Sequence, residues 1–274
     1  MLLKVIACEV ALREVCHLVA RSPHVIDVEF LAQGLHDHPA QGRQEIQERL
    51  DAQPAGHYDA VLLGYGLCSS ILTGLRAGQT QLVVPRAHDC ITFFLGSKER
   101  YQERFAQQPG TYYFTSGWVE CRRRRGDHDP GGFGGFMAAQ AGPAQQATYA
   151  QWVARYGEEQ ARYLAETMAQ WSSHYTHGAL IDFDFTRPLG LRAHVQKVCG
   201  EQGWAYEELG GDLGLLRRWL DADWNDREFL VVPPGREMVA TFDGAIIGLA
   251  PVAAGAPVAP AVKAPPGSPP PAPG

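Results

Sequence analysis

The sequence predicts an α/β protein: a mainly parallel sheet or sheets flanked by helices, possibly arranged as two α/β lobes around a cleft. Three observations carry this expectation. Short continuous apolar runs at residues 2–7, 58–67 and 81–84 read as strands buried on both faces. Between them stand segments of helical spacing, so the two periods alternate along the chain. Finally, a chain of 274 residues with 45% hydrophobic residues can bury a substantial core.

Taken in order, residues 2–7 form an apolar strand, and residues 13–20 carry Val15, Leu18 and Val19 at helical spacing. Residues 25–31 alternate, with Val25, Asp27 and Glu29 opposite Ile26, Val28 and Phe30, as expected of an edge or half-buried strand. An amphipathic helix follows at 42–52, with Ile46 and Leu50 on one face. Residues 58–67 and 81–84 are buried strands separated by a short helix at 70–76, and a long helix is expected from 90 to 107. Residues 111–114 are β-like.

The glycine-rich stretch 126–135 is expected to be a loop, without the lysine or fingerprint of a phosphate or dinucleotide cradle. After it come a long helix at 145–171, strands at 179–185, 204–209 and 229–232, and helices at 191–201 and 213–220. The expected organisation is an α/β domain at 1–245, with lobes 1–115 and 145–245 and loop 121–144 between them. A disordered Pro/Ala-rich tail occupies 246–274, with nine prolines in the last 24 residues.

Charge and composition narrow the function. A net charge of −6 and a pI near 5.9 give no reason to expect nucleic acid. The arginines at 122–125 abut Asp127 and Asp129 and read as a solvated loop rather than a phosphate patch. No run approaches the ~18 apolar residues of a membrane span. The first apolar run is also too short for a signal peptide, so a soluble, cytoplasmic protein is expected. In that compartment six cysteines point to metal binding or catalysis rather than disulfides.

Three of those cysteines stand where predicted strands end. Cys8 follows Leu2-Leu3-Lys4-Val5-Ile6-Ala7, Cys68 follows Leu63-Gly64-Tyr65-Gly66-Leu67, and Cys90 follows Pro85-Arg86-Ala87-His88-Asp89. The carboxyl ends of parallel strands line one crevice, where ligands bind. Three thiols with His88 suit tetrahedral zinc, and three thiols with an open position suit catalytic zinc or an iron–sulfur cluster. A helix starting at Cys90 would favour its thiolate, and so would one starting after Cys68, where Ser69 and Ser70 are capping residues.

Glu9 adds a possible carboxylate ligand or proton acceptor. Gly64 and Gly66 let backbone approach a ligand or make a tight turn. Arg86 offers a guanidinium for a carboxylate or phosphate, or a partner for Asp89 or Glu99. Asp89 would orient His88 or cap the helix. Without a Cys-x-x-Cys pair the spacing itself is not diagnostic of zinc, so a reactive thiol or plain packing stays open. Ser97, Lys98, Glu99 and Arg100 are expected at the surface, and Cys16, His17, Cys121 and Cys199 in structural roles. His36-Asp37-His38 before Pro39 reads as a polar turn, and neither a serine-hydrolase elbow nor a zincin motif occurs.

Taken together, Ile6-Ala7-Cys8-Glu9, Asp27-Val28-Glu29-Phe30-Leu31, Gly34-Leu35-His36, Leu63-Gly64-Tyr65-Gly66-Leu67-Cys68 and Pro85-Arg86-Ala87-His88-Asp89-Cys90-Ile91-Thr92 resemble the domain of unknown function 1638 family. Leu95-Gly96-Ser97-Lys98-Glu99-Arg100-Tyr101, Pro109-Gly110-Thr111-Tyr112-Tyr113, Gly117-Trp118 and Phe229-Leu230-Val231-Val232-Pro233-Pro234-Gly235 extend the match. It covers residues 1–241 and leaves 121–144 particular to this chain. The family pattern includes Cys8, Cys68, His88 and Cys90. The resemblance brings no activity of its own; it implies association with corrinoid-dependent methyltransferases and one-carbon metabolism.

The expected function is therefore a metal-binding protein with zinc, or alternatively an iron–sulfur cluster, held by Cys8, Cys68, Cys90 and His88. Its partners would be a small molecule and a corrinoid protein or methyltransferase. The alternative is a metal-free accessory module that binds a small anion through Arg86 and the glycine turns.

Overall fold

The computed structural model describes residues 1–125 and 175–251, with a few positions between 153 and 162. The helix expected at 145–171 and the loops at 121–144 and 126–135 lie almost wholly outside the described residues, as does most of the tail.

Two sheets organise the chain. The first has the order β2-β1-β3-β4-β8, built from β1 (Leu2–Cys8), β2 (Val25–Leu31), β3 (Ala60–Gly64), β4 (Leu82–Pro85) and β8 (Phe229–Val232). The first four run parallel, and β8 closes the edge antiparallel to β4. The second sheet is fully parallel, ordered β5-β6-β7 from β5 (Thr111–Phe114), β6 (His177–Asp182) and β7 (Ala205–Gly210). A mixed α/β architecture with a mainly parallel central sheet is what the alternating periods require. β2 is the edge its alternation predicts, its residues Val25 to Phe30 exposed or half-buried, whereas β3 and β4 are buried throughout.

Among the described residues the helices that frame the sheets are α1 (Leu12–Val19), α2 (Pro39–Asp51), α3 (Ile91–Leu95), α4 (Lys98–Gln107), α5 (Ser116–Arg125), α6 (Leu191–Gln202) and α7 (Gly214–Leu220). Two expectations need correcting. The long helix from 90 to 107 breaks at Gly96, whose left-handed φ of 83° ends α3. A Cβ there would also stand 2.5 Å from Asp212 Cγ, and Ser97 then caps α4 by accepting a bond from the Arg100 amide. Residues 70–76 are turns rather than a helix, because Cys68, Ser69 and Ser70 all take left-handed backbone (φ 31°, 54° and 64°).

The chain also crosses between sheets. β5 joins the second sheet, and β8 returns to the first after α7 has packed on it. Apolar side chains from both form one continuous core that includes Leu63, Val84, Phe94, Tyr113, Ile181 and Trp219. A hairpin of β9 (Met238–Ala240) and β10 (Ile247–Leu249) follows, so ordered structure runs into the residues expected to begin the tail. Ile246 and Ile247 are buried there, which fixes the hairpin to the core.

The sheets meet through α1 and α5. Gly117 lies so close to the turn before α1 that an added Cβ would stand 1.7 Å from the Val10 carbonyl oxygen. Beside it the Ser116 hydroxyl donates to the wholly buried Glu14 carboxyl at 3.0 Å, and Arg13 pairs with Glu120.

Candidate functional site

In the order β2-β1-β3-β4 the chain winds outward in opposite directions from β1, so the switch of direction falls between β1 and β3. Such a switch opens a crevice at the carboxyl ends of those strands. Cys8 is the last residue of β1, and Cys68 lies four residues beyond β3. The β3–β4 pairing continues past both strands: the Leu67 amide bonds the Ala87 carbonyl at 2.8 Å and the Cys68 amide bonds the His88 carbonyl at 2.9 Å. That register sets Cys68 opposite His88, two residues before Cys90, and the Cys68 thiol acts on Cys90.

The Cys90 thiol holds its proton far above the usual range. The bond to Cys68 contributes most, followed by burial and the fields of Cys68, Asp89 and Cys8. Cys8 therefore acts electrostatically on the same sulfur. This corrects the expectation that helix N-termini would generate thiolates. α3 has only five residues, and no helix follows Cys68. All six cysteines are outside disulfides, and Cys8 is buried while Cys68 and Cys90 are half-buried. Among the described residues, no three His, Cys, Asp or Glu side chains stand arranged around a metal position.

The remaining predicted residues divide. Asp89 accepts from the Tyr101 hydroxyl at 2.8 Å and from the Ile91 amide at 2.9 Å; burial raises its carboxyl against those bonds. It thus caps α3, while His88 is exposed at the rim close enough to lower Asp89 electrostatically. Glu9 lies next to Cys8 and accepts from the Gln33 amide at 2.9 Å. Gly64 is closed off by Ala7 and Trp219, whose atoms would stand 2.6 and 2.9 Å from an added Cβ.

Arg86 belongs to the scaffold rather than the crevice. Its guanidinium donates to the carbonyls of Asp226, Phe229, Ala245 and Ile247, tying β4 to β8 and the β9–β10 hairpin. Those bonds use the Nε and Nη1 donors of the guanidinium. Among the others, Cys121 and Cys199 are buried, His17 stacks on Phe185 with ring centroids 4.1 Å apart, and Cys16 is exposed. His36 and His38 fall in a short 3-10 turn and the residue after it.

Gly66 has a conformational reason to be glycine. An added Cβ would meet the Asp89 backbone at 2.6 to 2.9 Å, so only hydrogen lets the Cys68 loop lie against the Cys90 loop. Gly66→Ala is expected to cost about 1–3 kcal/mol in urea unfolding and to speed alkylation of Cys90 as the loops part. An unchanged alkylation rate would show that this contact does not position the thiols.

The residue that sequence reasoning passed over is Tyr65, between the two glycines. Its ring is 5% exposed and its hydroxyl is buried without a hydrogen-bond partner. The groups acting on that hydroxyl include Cys8, Cys68, Glu9 and Glu45, and burial raises it well above the ordinary phenol range. A polar tip inside the apolar run 60–65, at the end of a strand, was the available signal.

A family model described as "Protein of unknown function (DUF1638)" matches residues 30–220, more than half of the chain. Tyr65, Cys68, His88 and Cys90 fall inside the matched region and Cys8 precedes it. No curated protein and no solved structure matches.

Proposed function

The chain belongs to the DUF1638 family of proteins of unknown function, and from that premise we propose that it binds a soft metal ion at Cys8, Cys68 and Cys90. The observation that carries this reading is the placement of three cysteines beyond neighbouring parallel strands: Cys8 ends β1, and the Cys68 amide bonds the His88 carbonyl two residues before Cys90. Cys68 and Cys8 each oppose a lone thiolate at Cys90. A dication reverses the balance, because sulfurs that repel as bare anions become joint donors. Entry of the ion must draw the three sulfurs closer than they stand.

Zinc is the first choice and an iron–sulfur cluster the second, with His88 at the rim as a fourth ligand or proton carrier. Bound there, a soft ion would supply a site at which an acceptor thiol is held as thiolate. That capacity fits the corrinoid-linked methyl transfer implied by the family resemblance.

Anaerobic purification without added metal, followed by elemental analysis, tests the proposal. Near-stoichiometric zinc or iron is expected, lost in each of Cys8→Ser, Cys68→Ser and Cys90→Ser while the fold persists. A folded protein without metal, unable to take up zinc or iron under reducing conditions, overturns it. A brown colour would select the cluster over zinc.

A further inference from the structure

The turn that follows β3 holds polar groups that no described part of the chain uses. Cys68, Ser69 and Ser70 are all left-handed, and the turn closes where the Ile71 amide donates to the Leu67 carbonyl at 2.9 Å. We infer that this turn, with Arg43 of α2 beside it, binds the phosphoryl group of a small molecule through Arg43, Ser69 and Ser70. The site goes beyond the metal reading and does not depend on it, since none of its donors is a cysteine.

Arg43 supplies the charge. It is half-buried on the second turn of α2, its Nε is buried with no hydrogen-bond partner, and no carboxylate among the described residues pairs with it. Drawing a guanidinium part-way out of water without a partner is costly, and its planar fork matches an oxyanion. The helix is pressed onto the turn at Gly42, where an added Cβ would stand 2.9 Å from Ile71 Cδ1. Arg43 itself lies against Gly74, its Nη1 3.8 Å from where a Cβ would be. Just before Gly74, the Thr73 amide donates to the Ser70 carbonyl at 3.1 Å, and the Thr73 hydroxyl is buried without a partner.

The turn supplies amides and hydroxyls. In a helical turn of either hand the leading N–H groups point the same way and have no carbonyl to reach. The Cys68 amide is taken by the His88 carbonyl and that of Ile71 by Leu67. Among the described residues nothing takes the amides or hydroxyls of Ser69 and Ser70, which are exposed. Successive N–H groups in such a turn make an anion-binding concavity. Glycine would adopt this backbone freely, yet two serines hold it at φ 54° and 64°, keeping their hydroxyls on the rim.

Position and donor count select the ligand. The turn lies beyond the carboxyl end of β3, beside the switch between β1 and β3 where open α/β sheets take small ligands. A planar carboxylate has two oxygens and leaves part of this donor set unused, whereas a phosphoryl group presents three acceptor oxygens. A net charge of −6 disfavours a polyanion such as nucleic acid, so the phosphate belongs to a small molecule.

Isothermal titration of the full-length protein with inorganic phosphate at constant ionic strength tests the site. Saturable binding is expected in the wild type, weakened about tenfold in Arg43→Gln, the scale of a lost charged hydrogen bond. Arg43→Lys, which keeps the charge and loses the fork, gives the same readout should the glutamine variant fail to fold. Arg49→Gln is expected to bind as the wild type does, because Arg49 lies on the same helix but pairs with Glu29. Ser70→Gly suits the left-handed backbone and loses only the hydroxyl. It should unfold at an equal or higher urea concentration and bind phosphate several-fold more weakly.

No saturable binding in the wild type, or equal affinity in the Arg43 variants, overturns the site. Equal weakening in Arg49→Gln does so too, since any surface cation would then serve. Unchanged affinity in Ser70→Gly overturns the part given to the turn, and acetate competing as strongly as phosphate overturns the phosphoryl assignment. Elemental analysis decides the metal reading separately, so the two fail independently.

Discussion

Replacing Trp219 by alanine is expected to lower the unfolding free energy by about 4 kcal/mol, the upper range for a large aromatic lost from a core. Trp219 lies on α7 with no exposed surface, and its indole N–H donates to the Val83 carbonyl of β4 at 3.0 Å. The far edge of the ring rests over Gly64, at 2.9 Å from where a Cβ would be. Removing it opens a cavity between α7 and the first sheet and releases the carbonyl contact together. Trp219→Phe keeps most of the volume and loses the N–H, so a cost nearer 1–2 kcal/mol is expected.

Urea denaturation of the two variants measures both terms. The substitution also reaches the thiols, because the ring holds Gly64 one residue before Tyr65. Alkylation of Cys68 and Cys90 should therefore accelerate in the alanine variant. A loss below about 1 kcal/mol for Trp219→Ala would mean that α7 is not anchored by this side chain.

The second large effect belongs to Glu14, and its sign depends on pH. The carboxyl is wholly buried between α1 and α5, and burial raises it from 4.5 to about 7, opposed by local hydrogen bonds including that from Ser116. Of the charged groups acting on it, Glu120 raises it further and Arg13 lowers it. Its second oxygen, Oε2, has no hydrogen-bond partner.

Between those two pH values the folded chain keeps a proton that the unfolded chain has released. Stability contributed by Glu14 is therefore fully present below about pH 4.5 and falls as pH rises to about 7, by about 3 kcal/mol in all. Glu14→Gln preserves the acceptor for Ser116 and cannot ionise. The variant is expected to match the wild type near pH 4 and to exceed it by up to about 3 kcal/mol at pH 8. Chemical denaturation across that range checks it, and parallel stability curves for the two proteins would refute the assignment.

What could be read from the chain itself was governed by local rules. Continuous apolar runs marked β1, β3 and β4 because strands covered on both faces tolerate no polar alternation, and the alternation at 25–31 marked β2 as an edge. The same reading put Cys8, Cys68 and Cys90 at strand ends. It failed at 70–76 and across 90–107, where backbone conformation overrode composition. Serines that look like helix caps sit in left-handed turns, and Gly96 breaks a helix to seat Asp212.

The roles of Arg86 and Tyr65 could not be read in this way. Arg86 is claimed by carbonyls at 226, 229, 245 and 247, far along the chain. Tyr65 is notable only because nothing within reach bonds its hydroxyl, a property of the surrounding volume rather than of the residue. Similarly, helix starts near Cys68 and Cys90 were expected to favour thiolates, whereas Cys68 beside it and burial push the Cys90 thiol up.

The sequence by itself determined the α/β class and that Cys8, Cys68 and Cys90 lie at or a few residues past the ends of parallel strands, since hydrophobic period and chain order are written locally. Only the tertiary structure decided that the strand order reverses between β1 and β3, that Cys68 meets Cys90, and that α1 and α5 join the sheets through a buried carboxyl. Those are relations between residues as far as 107 positions apart, and they exist only once packing has chosen which surfaces touch.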